Sequence, residues 1–338
     1  MASKSERILY IGTAEGLYQA APDNGGYKFR PSGLQGKGAL RSPIVMDRDD
    51  SRRMYAATGR GGMFRSEDCG ESWREINEGI VYKEAWSLAQ HPKTGELVLG
   101  TGPSSIFKSN DGGDSWTDCE QLRNLPETED WTFPGPPHIS HVKGVALCAA
   151  DPKIIFGAIE EGWLIRSQDG GETWQNIKDG TEFDSHSVAV MPDDPKVVIA
   201  TSGKSFYKSV DGGDHFVKCA TGLDRRYMAQ AAFHPSRPRT FLTAAAAVPP
   251  PLWRRPEGAD TAFYRSDDRG DSWRRLSGGL PEHFKAAPRA VAGDPEDANT
   301  FLVGMTDGGV WMTEDAGESF RQILAGMPQV MSLRVAHR

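Results

Sequence analysis

Apolar residues in this chain come in short runs, each broken after a few positions by residues that favour turns. Glu84-Ala85-Trp86-Ser87-Leu88-Ala89-Gln90-His91-Pro92 predicts a strand ending in a turn, Leu97-Val98-Leu99-Gly100-Thr101 a second strand and Ser105-Ile106-Phe107-Lys108 a third. Ser115-Trp116-Thr117 opens a fourth. Runs of this length, flanked by Gly, Pro and Asp, have the boundaries of strands rather than helices. The succession recurs in units of about 40–45 residues, which predicts an all-β chain of repeated four-stranded antiparallel sheets.

One octamer punctuates these units. Ser66 to Trp73, Ser109 to Trp116, Ser167 to Trp174, Ser209 to Phe216, Ser266 to Trp273 and Thr313 to Phe320 fit S/T-x-D-x-G-x-S/T-W/F, except that His215 takes the second hydroxyl position in the fourth copy. Asp and Ser side chains bond to nearby backbone and close a tight turn. The final aromatic is large enough to bury about 150–250 Å². A calcium loop wants more oxygen ligands at alternating positions, so the octamer is read as a folding element.

The box aspartates Asp68, Asp111, Asp169, Asp211, Asp268 and Asp315 define six units. Leu9 to Tyr18 matches second and third strands followed by the degenerate turn Asp23-Asn24-Gly25-Gly26, and Val330 to Val335 matches an inner strand with nothing after it. The two ends therefore complete one blade together. This predicts a single domain over residues 1–338, a closed seven-bladed β-propeller without a free sheet edge.

The octamers resemble the Asp-box, or BNR, repeats of sialidases, xyloglucan-active glucanases, sortilin-type receptors and photosystem II assembly factors, and the resemblance covers essentially the whole chain. It implies the propeller fold and leaves the function open among hydrolases, receptors and assembly scaffolds. It also implies that the boxes lie on the face away from the ligand. The sialidase branch is identified by an Arg-Ile-Pro motif that begins an arginine triad. Arg41-Ser42-Pro43 does not match it, so a true sialidase is not expected.

Comparing units within the chain separates residues that serve the blade from residues that do not. Spacings of 43, 58, 42, 57 and 47 between box aspartates reveal two insertions, 126–140 and 245–262. Both fall in ligand-face loops, both are stiffened by proline, and they carry Trp131 and Trp253. Trp86, Lys143, His186, Ala229 and Arg289 hold one equivalent inner-strand position, and Glu84, His141, Asp184, Tyr227 and Ala287 another two residues earlier on the same strand face. Glu160 and Glu161 stand where sister units have Gly59 and Arg60, or Gly203 and Lys204. A purely structural lining would repeat small or aliphatic residues at these places. The expectation is a polar small-molecule site at the channel mouth.

Within it, Glu160, Glu161 and His186 are the candidate catalytic residues for general acid–base work. His141, Lys143, Asp184, Arg226, Tyr227, Arg289, Trp86, Trp131, Trp253 and Arg254 are candidate substrate contacts, the tryptophans by stacking on a sugar face. A divalent metal held by His141 (or His138), His186 and Glu160 (or Glu161) is a variant of the same site; no other cofactor is called for. Replacing Glu160 by Gln is expected to abolish function with little loss of stability. His91 and His234, in His-Pro turns, and His215 inside a box are read as structural.

Bulk properties narrow the classes further. A net charge of −7 with 25% charged residues implies no nucleic-acid surface, and no apolar run is long enough to span a membrane. No apolar segment of signal-peptide type precedes Ile8, and Cys69, Cys119, Cys148 and Cys219 show no paired spacing, which together predict a cytoplasmic protein with reduced thiols. The expected function is a hydrolase or lyase acting on a carbohydrate-like or anionic polar substrate. The alternative is a non-catalytic binding or assembly propeller for a protein partner.

Overall fold

A computed structural model describes residues 5–338. They form seven four-stranded antiparallel sheets, the blades of a β-propeller, six of them meanders of consecutive strands and the seventh joining the last strand of the chain to its first three. The chain divides into two compact units, residues 45–219 and residues 1–44 with 220–338. The first contains four blades, whose inner strands are Val45–Met46, Glu84–Gln90, Val142–Leu147 and Ser185–Val190. The second contains three, with inner strands Tyr227–His234, Pro288–Gly293 and Val330–His337. Within each unit inner strands pack against inner strands of the neighbouring blades.

The termini share a blade as expected. Arg7–Thr13 pairs antiparallel with Val330–His337, from Arg7 opposite His337 to Ile11 opposite Leu333. A fully buried carboxylate fastens this pairing: Asp294 accepts from Arg7 Nε at 2.6 Å and from His337 Nε2 at 2.7 Å.

Every box closes in the same way. In the second, Ser109 Oγ donates to Asp111 Oδ1 at 2.7 Å and accepts from the Gly113 N–H at 2.8 Å. Asp111 then accepts from the N–H and the hydroxyl of Ser115 at 3.0 and 2.6 Å. The irregular fourth box keeps the pattern because His215 Nδ1 donates to Asp211 at 2.9 Å in place of the missing hydroxyl. These donors hold Asp68, Asp111, Asp169, Asp268 and Asp315 down at about 2.

The box aromatic is placed differently from the expectation that it starts the fourth strand. That strand is Thr117–Asp118, and Trp116 precedes it, wedged against the preceding blade, where its Nε1 donates to Ile76 O at 2.9 Å and its ring joins Ile76, Ile80, Leu97 and Phe107. The reason is a backbone bond across blades: the Trp116 N–H donates to Glu78 O, Phe216 to Asp179 O, Trp273 to Thr221 O and Phe320 to Gly278 O. The residue after each acceptor is Gly79, Gly180, Gly222 or Gly279, and a Cβ on Gly180 would stand 1.8 Å from Phe216 O. Cations just before the boxes add a second clamp: Arg65, Lys108, Arg166 and Arg265 donate to the carbonyls of Gly112, Gly170, Gly212 and Ala316 in the next box, at 2.5–2.9 Å. The boxes are thus the fasteners between blades.

Candidate functional site

The inner strands carry a shared irregularity. Their register with the second strand breaks between Ala85 and Ser87, Val142 and Gly144, Ser185 and Ser187, Met228 and Ala231, and Pro288 and Ala290. The residues left out of the ladder are Trp86, Lys143, His186, Ala229 with Gln230, and Arg289. A bulge frees one residue from strict alternation and re-aims its side chain. The equivalent positions found by comparing units are therefore bulge positions, which the sequence comparison located without revealing the bulge.

In the unit of residues 45–219 this device gathers a charged group. The Glu160 N–H donates to His141 O at 3.3 Å, so the turn after the second strand lies beside the start of the inner strand. Across that contact His141 Nε2 donates to Glu160 Oε2 at 2.8 Å, and Lys143 Nζ, from the bulge, reaches the same oxygen at 2.8 Å. On the next blade His186 Nε2 donates to Asp184 Oδ1 at 3.0 Å. Glu160, Asp184 and His186 each bring a ligand atom within 4.8 Å of the others, a set able to coordinate a metal ion. His141, named with His186 and Glu160 as a metal ligand from sequence, is instead spent on Glu160, and Asp184 takes its place in the set.

Aromatic rings wall this group. Trp86 stacks on His141 with ring centroids 3.3 Å apart and planes 12° from parallel, and Phe133 meets the same imidazole edge-on at 4.9 Å. Phe133 was missed from sequence; its place in the same insertion as Trp131 was the available signal. Trp131 does not offer a face to a ligand, contrary to expectation. It is 8% exposed and packs with Leu122, Val142 and Ile159 in an apolar cluster, so it anchors the insertion instead. His138, the other possible ligand, is exposed and donates to Phe133 O at 2.8 Å.

The two adjacent glutamates are driven in opposite directions. Burial raises the pKa of Glu160, which is 7% exposed, but the Lys143 charge, the His141 hydrogen bond and the nearby His186 more than reverse this and hold it well below the usual carboxylate range. Glu161 is pushed up, first by burial and then by Asp184 and Glu160. Asp184 is lowered: burial opposes ionisation, and the His186 hydrogen bond and charge overcome it. The turn that presents both glutamates is strained, with φ of 55° at Glu161 and 64° at Trp163. It is held by the Thr132 N–H, which donates to Glu161 O at 3.0 Å. Insertion 126–140 therefore braces the glutamate turn directly.

The remaining candidates lie in the other unit. Arg289 sits over the Trp253 ring, 4.8 Å from its centroid, and Tyr227 meets that ring edge-on at 5.7 Å. Arg226 and Arg254 are exposed. His91 and His234 are structural as expected, donating to Cys148 O and Pro295 O at 3.1 Å each. All four cysteines are free.

With the geometry in place, the chain can be set beside known proteins. Residues 162–276 match the Sortilin-Vps10 family model, described as sortilin, neurotensin receptor 3. No curated protein matches the chain. Among solved structures, an ancestral GH74 enzyme is 19% identical with a TM-score of 0.65 over 84% of this chain and 38% of its own. A GH74 enzyme of Niastella koreensis is likewise 19% identical at 0.65, over 87% of this chain and 46% of its own. YCF48 from Cyanidioschyzon merolae is 16% identical at 0.58, over 87% of this chain and 89% of its own. The chain thus spans less than half the length of these GH74 enzymes and nearly all of YCF48. At such identities the likeness is one of fold. No helix of the described residues is long and apolar enough to cross a membrane.

Proposed function

We propose that the group around Glu160 and Glu161 is the active site of a hydrolase or lyase that acts by proton transfer on a hydroxyl-rich, carbohydrate-like substrate. The observation that carries this reading is the opposed pair of neighbouring glutamates. Two carboxyls with separated proton affinities can share out acid and anion roles at one pH. Glu161, kept protonated longer than an ordinary carboxyl, is the proton donor. Glu160, assigned to proton exchange from sequence alone, holds its charge too firmly for that role; it fixes Lys143 and His141 in place. His186, oriented by Asp184, is the partner base. Trp86 and Phe133 shape the apolar side of the site.

Lys143 bears on the metal variant. Its ammonium already neutralises Glu160, so a divalent ion bound by Glu160, Asp184 and His186 would have to displace it. The reading therefore assigns the cation role to Lys143. Its setting is a single cytoplasmic Asp-box propeller domain over residues 1–338, and free thiols suit a reducing compartment.

The test is turnover of a panel of nitrophenyl glycosides by the purified chain, compared with Glu161→Gln and His186→Ala. Loss of a general acid or base lowers kcat by about 10²–10⁴-fold, and each variant is expected to show that drop. Absence of turnover across neutral and acidic glycosides would favour the second reading, a binding propeller for a protein partner. One observation supports that alternative: the likeness spans 89% of YCF48 but only 38% and 46% of the two GH74 enzymes.

A further inference from the structure

We infer that Arg334, on the strand that closes the terminal blade, anchors a binding site for a small oxyanion, a carboxylate or a phosphate. The repeat marks this residue first. Three positions past the start of each bulge, five inner strands carry Ala89, Ala146, Ala189, Ala232 and Ala292. The terminal blade has its own break in register, between Gly12 and Thr13, which leaves Met331 out of the ladder. Three positions past Met331 stands Arg334, opposite Tyr10. Five blades form with a methyl group at this place, so the fold does not require a guanidinium there.

The surroundings leave its charge unmatched. Leu333 and Val335 on either side are 3% and 1% exposed, whereas Arg334 is open to solvent. Among the described residues its side chain has no hydrogen-bond or ion-pair partner. Desolvation by the protein around it lowers its pKa, and no neighbouring acid opposes that effect. A guanidinium that water reaches, yet the protein partly desolvates, lies in a recess and not on an open surface. Arg7, on the adjacent strand, shows the contrast: burial opposes its charge too, but bonds to Glu314, Tyr27 and Asp294 more than reverse this. An anion entering the recess would do for Arg334 what these partners do for Arg7.

A second cation shares the same side of the sheet. Residues 334, 336 and 338 alternate onto one face, which is also the face of Tyr10, and Arg338 lies over the Tyr10 ring, 5.5 Å from its centroid. The adjacent inner strand Pro288–Gly293 has Ala292 at the matching level, too short to fill the space or neutralise the charge. The planar fork of a guanidinium matches the oxygens of carboxylate and phosphate, which sets the ligand class.

The site takes no part in the proposed reaction, and thermal melting of the full chain tests it. Melts are recorded in chloride at about 0.15 M ionic strength, where long-range attraction is screened, with inorganic phosphate or acetate exchanged for part of the chloride. At least one oxyanion should raise the melting temperature of the wild type by about 1 °C or more along a saturating curve. A general salt effect would not saturate and would act on every variant alike. Arg334→Ala, which installs the residue of the five sister blades, and Arg334→Gln, which keeps part of the stem, should both melt cooperatively and lose the shift. A response to phosphate alone identifies a tetrahedral ligand, and one to acetate alone a planar ligand. Glu161→Gln should respond as the wild type does. No saturating shift in the wild type, the same shift in both Arg334 variants, or its loss in Glu161→Gln would overturn the inference.

Discussion

Replacing Glu160 by Gln removes a charge that two donors share. One carboxylate oxygen accepts from His141 and Lys143, each at 2.8 Å, and the residue is 7% exposed. An amide oxygen at the same place can accept from both donors, but without the charge, so both bonds weaken. The Lys143 ammonium loses its counter-charge and keeps only some access to water. The expected loss is about 2–3 kcal/mol, below the 3–5 kcal/mol of a fully buried broken pair. Burial thus contradicts the expectation from sequence that this variant would keep its stability. The pH dependence has a definite sign. The folded pKa of Glu160 is depressed, so its contribution is complete above the unfolded value of about 4.3 and fades as pH falls through the folded value. Urea unfolding of wild type and variant at pH 7, 5, 4 and 3 measures this, and the gap should narrow only in the most acidic samples. A gap under about 0.5 kcal/mol at pH 7, or one that widens on acidification, would refute the reasoning.

Three further outcomes follow from the same contacts. Gly180→Ala puts a Cβ 1.8 Å from Phe216 O at a φ of +68°, so it should lower the melting temperature more than an alanine placed at Gly212, where nothing lies within 4 Å. Deleting residues 330–338 removes the strand paired to Arg7–Thr13 and the His337 bond to Asp294, and should abolish the cooperative transition seen by circular dichroism. Zn²⁺ should leave the melting temperature of the wild type unchanged and raise that of Lys143→Met, because removing the ammonium frees Glu160 to join Asp184 and His186.

Much of this fold is legible in sequence because its fasteners are local. A box spans eight residues, its bonds join residues two to four apart, and so the turn, the blade and the shared terminal blade can be counted from Asp68 to Asp315. The contacts between blades are less visible. The Glu78-Gly79, Asp179-Gly180 and Thr221-Gly222 pairs repeat in the sequence, but their purpose depends on a carbonyl about forty residues away or more. The site divides in the same manner. Departures from the repeat pointed to His141, Lys143, Glu160, Asp184 and His186, which do come together. Such departures carry no information on partners, so the ion pair of Lys143 with Glu160 had to be seen. Trp131 was misread because an aromatic in an insertion looks the same in sequence whether its ring faces solvent or fills a gap beside Leu122. The bulges were hidden because a bulge changes register without changing residue type.

The split between the two glutamates is the centre of this account, and carboxyl ¹³C NMR of glutamate-labelled protein measures it directly. Titration from pH 8 downward, with Glu160→Gln and Glu161→Gln used to assign the signals, follows each carboxyl separately. The account predicts that Glu161 takes up its proton above the ordinary carboxylate value of about 4.3, while Glu160 stays ionised well below it. Two signals titrating together near that ordinary value, or in the reverse order, would contradict it.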